Sequence, residues 1–129
     1  MVRTATRIPV AYTGPTPAQI LVVLIRDGYA CPCGFTVIGT IFDIQHRQRR
    51  SQGGTNCYTN MLTGHRECHN RWDSRLHPAD ADAGYTVKSR RDPARVRVLY
   101  VTESGSQEWW WLLPDGTRTT DEPDWVVAA

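Results

Sequence analysis

Hydrophobic residues in this chain come in short bursts, and the pattern of each burst predicts a different element. Residues 1–15 alternate single apolar and polar positions and close on Gly14 and Pro15, which reads as an extended arm or loosely attached tail. Thr16 then opens TPAQ, with an N-cap threonine, a proline at the first helical position and Gln19 at the capping-box position. A helix should therefore run through ILVVLI to about Arg26 and stop at Asp27 and Gly28; the β-branched content of ILVVLI leaves a buried strand as the competing reading. FTVIGTIFDI, residues 35–44, predicts two short strands around Gly39 and Thr40, the first limb of a hairpin that delivers His46. RQRRSQGG is a loop, residues 58–62 suit a short helical turn, and residues 66 to about 76 a longer helix. Trp72 is expected to pack that helix on the hairpin, because aromatic residues at such positions are usually core.

From residue 79 the pattern changes. GYTV, RVRVLYV and QEWWWLLP are β-branched and aromatic runs bounded by Asp-Pro, Ser-Gly and Pro-Asp-Gly, which predicts a small antiparallel meander. Strand alternation puts Trp109 and Trp111 on one face and Trp110 on the other. DEPDW near the end is acidic and reads as solvated.

The length, 129 residues, suits one domain with a modest core that would benefit from a structural staple. The longest apolar run, ILVVLI, is far shorter than the roughly 20 residues of a membrane span, and no stretch has the pattern of a signal peptide. A cytoplasmic protein without a membrane partner is expected, and its four cysteines then read as thiols or metal ligands in preference to disulfides. Net charge is only +2, yet 14 of the 15 basic residues are arginine. They cluster as Arg47, Arg49, Arg50, Arg66, Arg71 and Arg75, and the planar guanidinium fork suits phosphate. The plainer reading of any one of them is a solvated surface charge.

Residues 43–73, DIQHRQRRSQGGTNCYTNMLTGHRECHNRWD, carry the chemistry. Any one of the four histidines alone would read as a solvated side chain; His46, Asn60 and His69 in this order, around an arginine- and glycine-containing loop, do not. The segment resembles the short motif of the HNH endonucleases: a His at a strand end, a Gly-containing loop, an Asn opening a helical turn before an apolar pair (here Met61 and Leu62), and a second His after a Cys. A phosphodiester resists hydrolysis because its charge repels nucleophiles and its alkoxide leaves poorly, so a catalyst needs a base for water and a cation for the departing oxygen. The resemblance implies that His46 is the general base, that Asn60 orients His46 or braces its loop, and that His69 binds one catalytic divalent ion, Mg²⁺, Mn²⁺ or Ni²⁺. Relatives often place Asp or His directly before the base, where this chain has Gln45, whose amide oxygen coordinates without bringing charge. Asp73, one helical turn after His69, and Asp43 are the candidate carboxylates. Arg47, Arg49, Arg50, Arg71 and Arg75 are the candidate nucleic-acid contacts.

The same resemblance suggests a structural zinc. Cys31 and Cys33 in ACPCG are similar to the family's Cys-x-x-Cys-Gly knuckle with one residue missing, and His65 and Cys68 stand where many relatives have Cys-x-x-Cys. Together they would form a tetrahedral Cys₃His site. Cys57 is then expected to be a small buried hydrophobe, or a ligand only if Cys31 points away. The tail resembles that of short phage-encoded HNH proteins, so the likeness runs from about Arg26 to Thr120. The implied protein is α+β: an arm at 1–15, a zinc-stapled ββα-metal core at 16–78, and a β appendage at 79–129. It would cut DNA to give 5′-phosphate and 3′-hydroxyl ends, in phage genome processing or packaging beside a terminase and in the cytoplasm of an infected host. Two other readings stay open: a zinc-organised nucleic-acid-binding module without catalysis, favoured by Gln45, and an adaptor whose working surface is the tryptophan strand.

Overall fold

A computed structural model describes residues 13–127, so the expected arm lies outside the described residues up to residue 12. The chain is α+β. Helix α1 (Pro17–Arg26) starts as its cap signals require, with Gln19 N–H donating to Thr16 Oγ1 at 3.1 Å and Thr16 N–H donating to Gln19 Oε1 at 2.8 Å. The helix, not the competing strand, forms because this reciprocal cap satisfies donors that the first turn leaves orphaned.

Its C-terminal end is fixed by a buried charge pair. Arg26 and Asp27 bond to each other at 2.9 Å, and Arg26 also donates to the carbonyl oxygens of Tyr58 (2.8 Å) and Met61 (2.5 Å). Asp27 accepts from Thr63 N–H at 2.9 Å and from the Tyr100 hydroxyl at 2.7 Å. Every strong donor and acceptor in the pair therefore has a partner, which is the condition for tolerating buried charge. This network joins α1 to the two sheets.

Strands β1 (Phe42–His46) and β2 (Met61–His65) pair antiparallel, with His46 opposite Met61 and Phe42 opposite His65. Helix α2 (Arg66–Ser74) follows β2 without a loop and lies on the hairpin. Trp72, 3% exposed, makes that contact as expected, stacking near Tyr85 with ring centroids 4.8 Å apart. The approach is close enough that a Cβ on Gly64 of β2 would sit 2.7 Å from the Trp72 ring, so only glycine fits there.

Several elements differ from the sequence expectation. Of the strand pair expected over residues 35–44, only 42–44 are in a strand, which continues to His46; residues 35–41 fold back in turns, with one bridge between Ala30 and Thr36. The helical turn expected at 58–62 is a 3₁₀ turn over Tyr58–Asn60, after which the chain enters β2. GYTV is not a strand, because its groups serve the core instead: Val87 N–H donates to Arg47 O and the Tyr85 hydroxyl to Leu99 O. A short helix α3 (Pro78–Asp82) precedes it.

The C-terminal meander is present as β3 (Val98–Val101), β4 (Gln107–Leu112) and β5 (Arg118–Thr119), antiparallel in sequence order. Trp110 and Leu112 face inward with Leu62, Val98 and Tyr100, and the Arg118 guanidinium lies 4.2 Å from the Trp110 ring centre. Trp109 lies on the other face beneath Arg97, as alternation requires. Leu62 sits in that cluster, so the stretches 16–78 and 79–129 share one core. Helix α4 (Asp124–Val127) ends the described chain, and Trp125 donates to Ala94 O. No helix among the described residues is long and apolar enough to cross a membrane.

Candidate metal centre and active-site cleft

The hairpin and α2 carry two polar clusters. In the first, Cys31 and Cys33 come from the turn after α1, His65 from the end of β2 and Cys68 from the first turn of α2, and their four donor atoms all lie within 4.8 Å of one another. Tetrahedral zinc with sulfur bonds near 2.3 Å needs ligand separations of about 3.5–4 Å, so small shifts close the set around one ion. Cys33 Sγ and His65 Nδ1 are already 3.4 Å apart. His65 Nε2 faces Thr36 O at 2.8 Å; a carbonyl only accepts, so Nε2 carries the ring proton and Nδ1 offers its lone pair to the sulfurs. Burial pushes the Cys31 and Cys68 thiols up, the direction expected where thiols are gathered without a compensating cation. All four cysteines are free thiols, and the Cys₃His cluster can hold a metal ion. Cys57 is exposed and stands apart from the cluster, which corrects the expectation that it is buried; it lies on the surface of the long loop between the strands.

The second cluster is an open cleft of about 300 Å³ lined by Gln45, His46, Arg49, Arg50, Ser51, His69 and Asp73. Strand β1 supplies Gln45 and His46, the loop supplies the arginines, and α2 supplies His69 and Asp73 from successive turns of one face. Gln45, 1% exposed, donates from Nε2 to Tyr85 O at 3.4 Å and so turns Oε1 toward His69 Nδ1, 2.7 Å away. His69 Nδ1 must therefore be the protonated nitrogen, and the lone pair is left on Nε2. Gln45 thus orients His69.

Of the two roles expected for Asn60, orienting His46 falls to Asn56 and bracing the loop to Asn60 itself. Asn56 donates from Nδ2 to Thr13 O at 2.9 Å, so its Oδ1 accepts from His46 Nε2–H at 2.8 Å and leaves His46 Nδ1 as the free base. Asn60 braces the loop: it accepts from Gln48 N–H at 2.7 Å and donates to the carbonyls of Gln48 (3.0 Å) and Thr55 (2.9 Å). The only sequence signal for Asn56 was its place near the motif.

The carboxylates are already engaged. Asp73 lies 3.6 Å from Arg49 Nε, and Arg49 also donates to Asp73 O. Asp43 pairs with Arg66 at 3.0 Å and does not line the cleft.

The arginines divide sharply. Arg47 is fully buried and donates to the carbonyls of Gly84 (2.7 Å), Thr59 (2.7 Å), Pro93 (3.0 Å) and Val96 (2.6 Å). Burial pushes its pKa down to about 9, so it stays charged at neutral pH. The expectation that it contacts nucleic acid is corrected, since its donors are spent inside the fold. Arg49 and Arg50 line the cleft. Arg71 is on the outer surface, 3.4 Å from Asp80. Arg75, at a left-handed φ of 59°, donates to Arg47 O at 3.2 Å, and its Nε and Nη2 are enclosed without a hydrogen-bond partner.

No family model, curated protein or solved structure matches this chain significantly.

Proposed function

We propose that this protein is a divalent-metal-dependent endonuclease of the HNH type, hydrolysing phosphodiester bonds in DNA. The observation that carries the reading is the single cleft that gathers His46, His69 and Asp73 beside two arginines. His46, with Nε2–H committed to Asn56, takes the proton of the attacking water at Nδ1. Arg49 and Arg50 hold the phosphate by charge. His69 through Nε2, and Asp73, are the groups that would hold the catalytic Mg²⁺, Mn²⁺ or Ni²⁺. When bound, that ion supplies positive charge to the phosphate and the leaving oxygen. Asp73 is shared between that role and its ion pair with Arg49. Gln45 keeps the His69 ring in the tautomer and direction that metal binding requires.

Zinc at Cys31, Cys33, His65 and Cys68 would tie the turn after α1 to α2 and so hold the His69 helix against the strand of His46. Processing of a phage genome alongside a packaging terminase is the setting we propose, on the resemblance of motif and tail to short phage HNH proteins.

A second reading, a zinc-organised nucleic-acid-binding module without catalysis, is favoured by one feature: Gln45 is neutral, and both nearby carboxylates are already paired with arginine. Incubating the zinc-loaded protein with supercoiled plasmid in Mg²⁺, Mn²⁺ or Ni²⁺, and without added metal, separates the two. Nicked or linear DNA only where the divalent ion is present is the result expected of a nuclease. Retained binding with no cleavage in any of the three supports the binding module.

A further inference from the structure

Residues 88–91, Lys-Ser-Arg-Arg, form a tight turn closed by Arg91 N–H donating to Lys88 O at 3.2 Å. Gln48, only 7% exposed, donates from its side-chain amide nitrogen to this turn, reaching Lys88 O at 2.8 Å and Arg91 O at 2.9 Å. Gln48 is itself gripped through its backbone by Asn60. The turn is thus fastened to the root of the loop that carries Arg49 and Arg50, although it lies some forty residues further along the chain.

What the turn presents is charge. Lys88, Arg90 and Arg91 are exposed, and none forms an ion pair among the described residues. The neighbouring acid Asp92 is engaged, accepting from Ala94 N–H at 2.9 Å and lying 4.0 Å from Arg95. Arg90 has a φ of 71°, a left-handed conformation that suits glycine and strains a residue with a side chain. Strain of this kind persists where the rest of the structure imposes it, and it collects at binding sites.

The placement gives the charge a direction. Arg90 and Arg91, with Asp92 beside them, face Gln52, Gly53 and Thr55 across a cleft of about 400 Å³. Lys88 shares a neighbouring cavity of about 460 Å³ with Gln52 and Arg75. The loop from Arg49 to Gly53 therefore has the His46–His69 cleft on one flank and these basic walls on the other.

We propose that the turn at residues 88–91 is a second phosphate-binding element, which grips the nucleic-acid backbone on the far side of that loop without reading bases. It rests on the nucleic-acid part of the proposed function and is independent of catalysis. The occupant is a polyanion because three cations without an ion pair line these adjoining clefts, against Asp92, which is already engaged, and the single further carboxylate Asp82 beside Lys88.

The test is equilibrium binding of several unrelated duplexes, followed against salt by fluorescence anisotropy in a His46→Ala background so that no DNA is cut. Lys88→Ala/Arg90→Ala/Arg91→Ala together should lower the salt slope by about two to three units and weaken every duplex by a similar factor. Arg90→Gly should keep or raise the melting temperature, since it relieves the left-handed strain, while still lowering the slope by about one unit. An unchanged slope in the triple variant overturns the proposal. So does a loss confined to one duplex, or an Arg90→Gly loss that appears only together with a lower melting temperature. If the parent binds no duplex even at low salt, the turn and the nucleic-acid reading fall together. If the slope falls as expected but the protein with His46 intact cuts nothing in any metal, the turn stands and only catalysis falls.

Discussion

The Cys₃His cluster and the His46–His69 cleft are both built on the β1–β2 hairpin and helix α2 but are organised in opposite ways. In the cluster, the ring proton of His65 points to Thr36 O, and four donor atoms lie within 4.8 Å of one another, a spacing that can hold one ion. In the cleft, each functional group is tied to a neighbour, His46 to Asn56, His69 to Gln45 and Asp73 to Arg49, and the space between them is open. A closed donor set suits a structural metal, and an open one leaves room for water and phosphate. Consecutive residues of α2, Cys68 and His69, belong to the two different regions because successive side chains on a helix point about 100° apart.

If that division is right, damage to the cluster should cost folding and damage to the cleft should cost rate. The largest effect is expected from Cys68→Ser or from stripping zinc with a strong chelator. Structural zinc is worth roughly 10 kcal/mol in small domains, as much as the whole stability of many of them. Thermal unfolding should lose its cooperative transition; an unchanged melting temperature in zinc-free protein would show that the cluster is not a staple.

Next comes the contrast inside the arginine loop. Arg47→Met strands four carbonyl oxygens, two of them buried and two part-buried, and should cost about 3–5 kcal/mol in urea denaturation, whereas Arg50→Ala should leave stability unchanged and lower the salt slope of DNA binding. Equal stability of the two variants would contradict the split. Smaller again is Gly64→Ala, whose methyl meets the Trp72 ring; overpacking of this kind costs about 1–3 kcal/mol, and because α2 carries part of both regions, zinc affinity and cleavage should fall together. The smallest is Asn56→Ala, which releases the His46 ring and should slow cleavage roughly tenfold with no change in melting temperature. A wild-type rate in that variant would remove Asn56 from the positioning role.

What the sequence made legible was what local chemistry determines. The Thr16–Gln19 capping box located the start of α1, and the resemblance to a family ligand set, not spacing alone, pointed to Cys31, Cys33, His65 and Cys68, which the fold does bring together. Trp72 as the packing residue and the alternation of the tryptophans were likewise readable. Strand β2 was not, because Leu62, Thr63 and Gly64 are all buried and so lack the polar alternation that marks a half-exposed strand. Arg47 was misjudged for a similar reason. Within HRQRR it looks no different from Arg49, and the carbonyls that claim it lie between 12 and 49 residues away. Asn56, Gln48 and the Arg26–Asp27 pair also act through distant backbone groups, which no local pattern announces.

The most direct test of the central claim compares zinc-loaded wild type with His46→Ala on supercoiled plasmid in Mg²⁺, Mn²⁺ and Ni²⁺. The expected result is cleavage by the wild type and a rate about 10²-fold lower or less for His46→Ala, at an unchanged melting temperature and with duplex binding retained. Equal cleavage by the two proteins, or none by the wild type in any of the three metals, would contradict it.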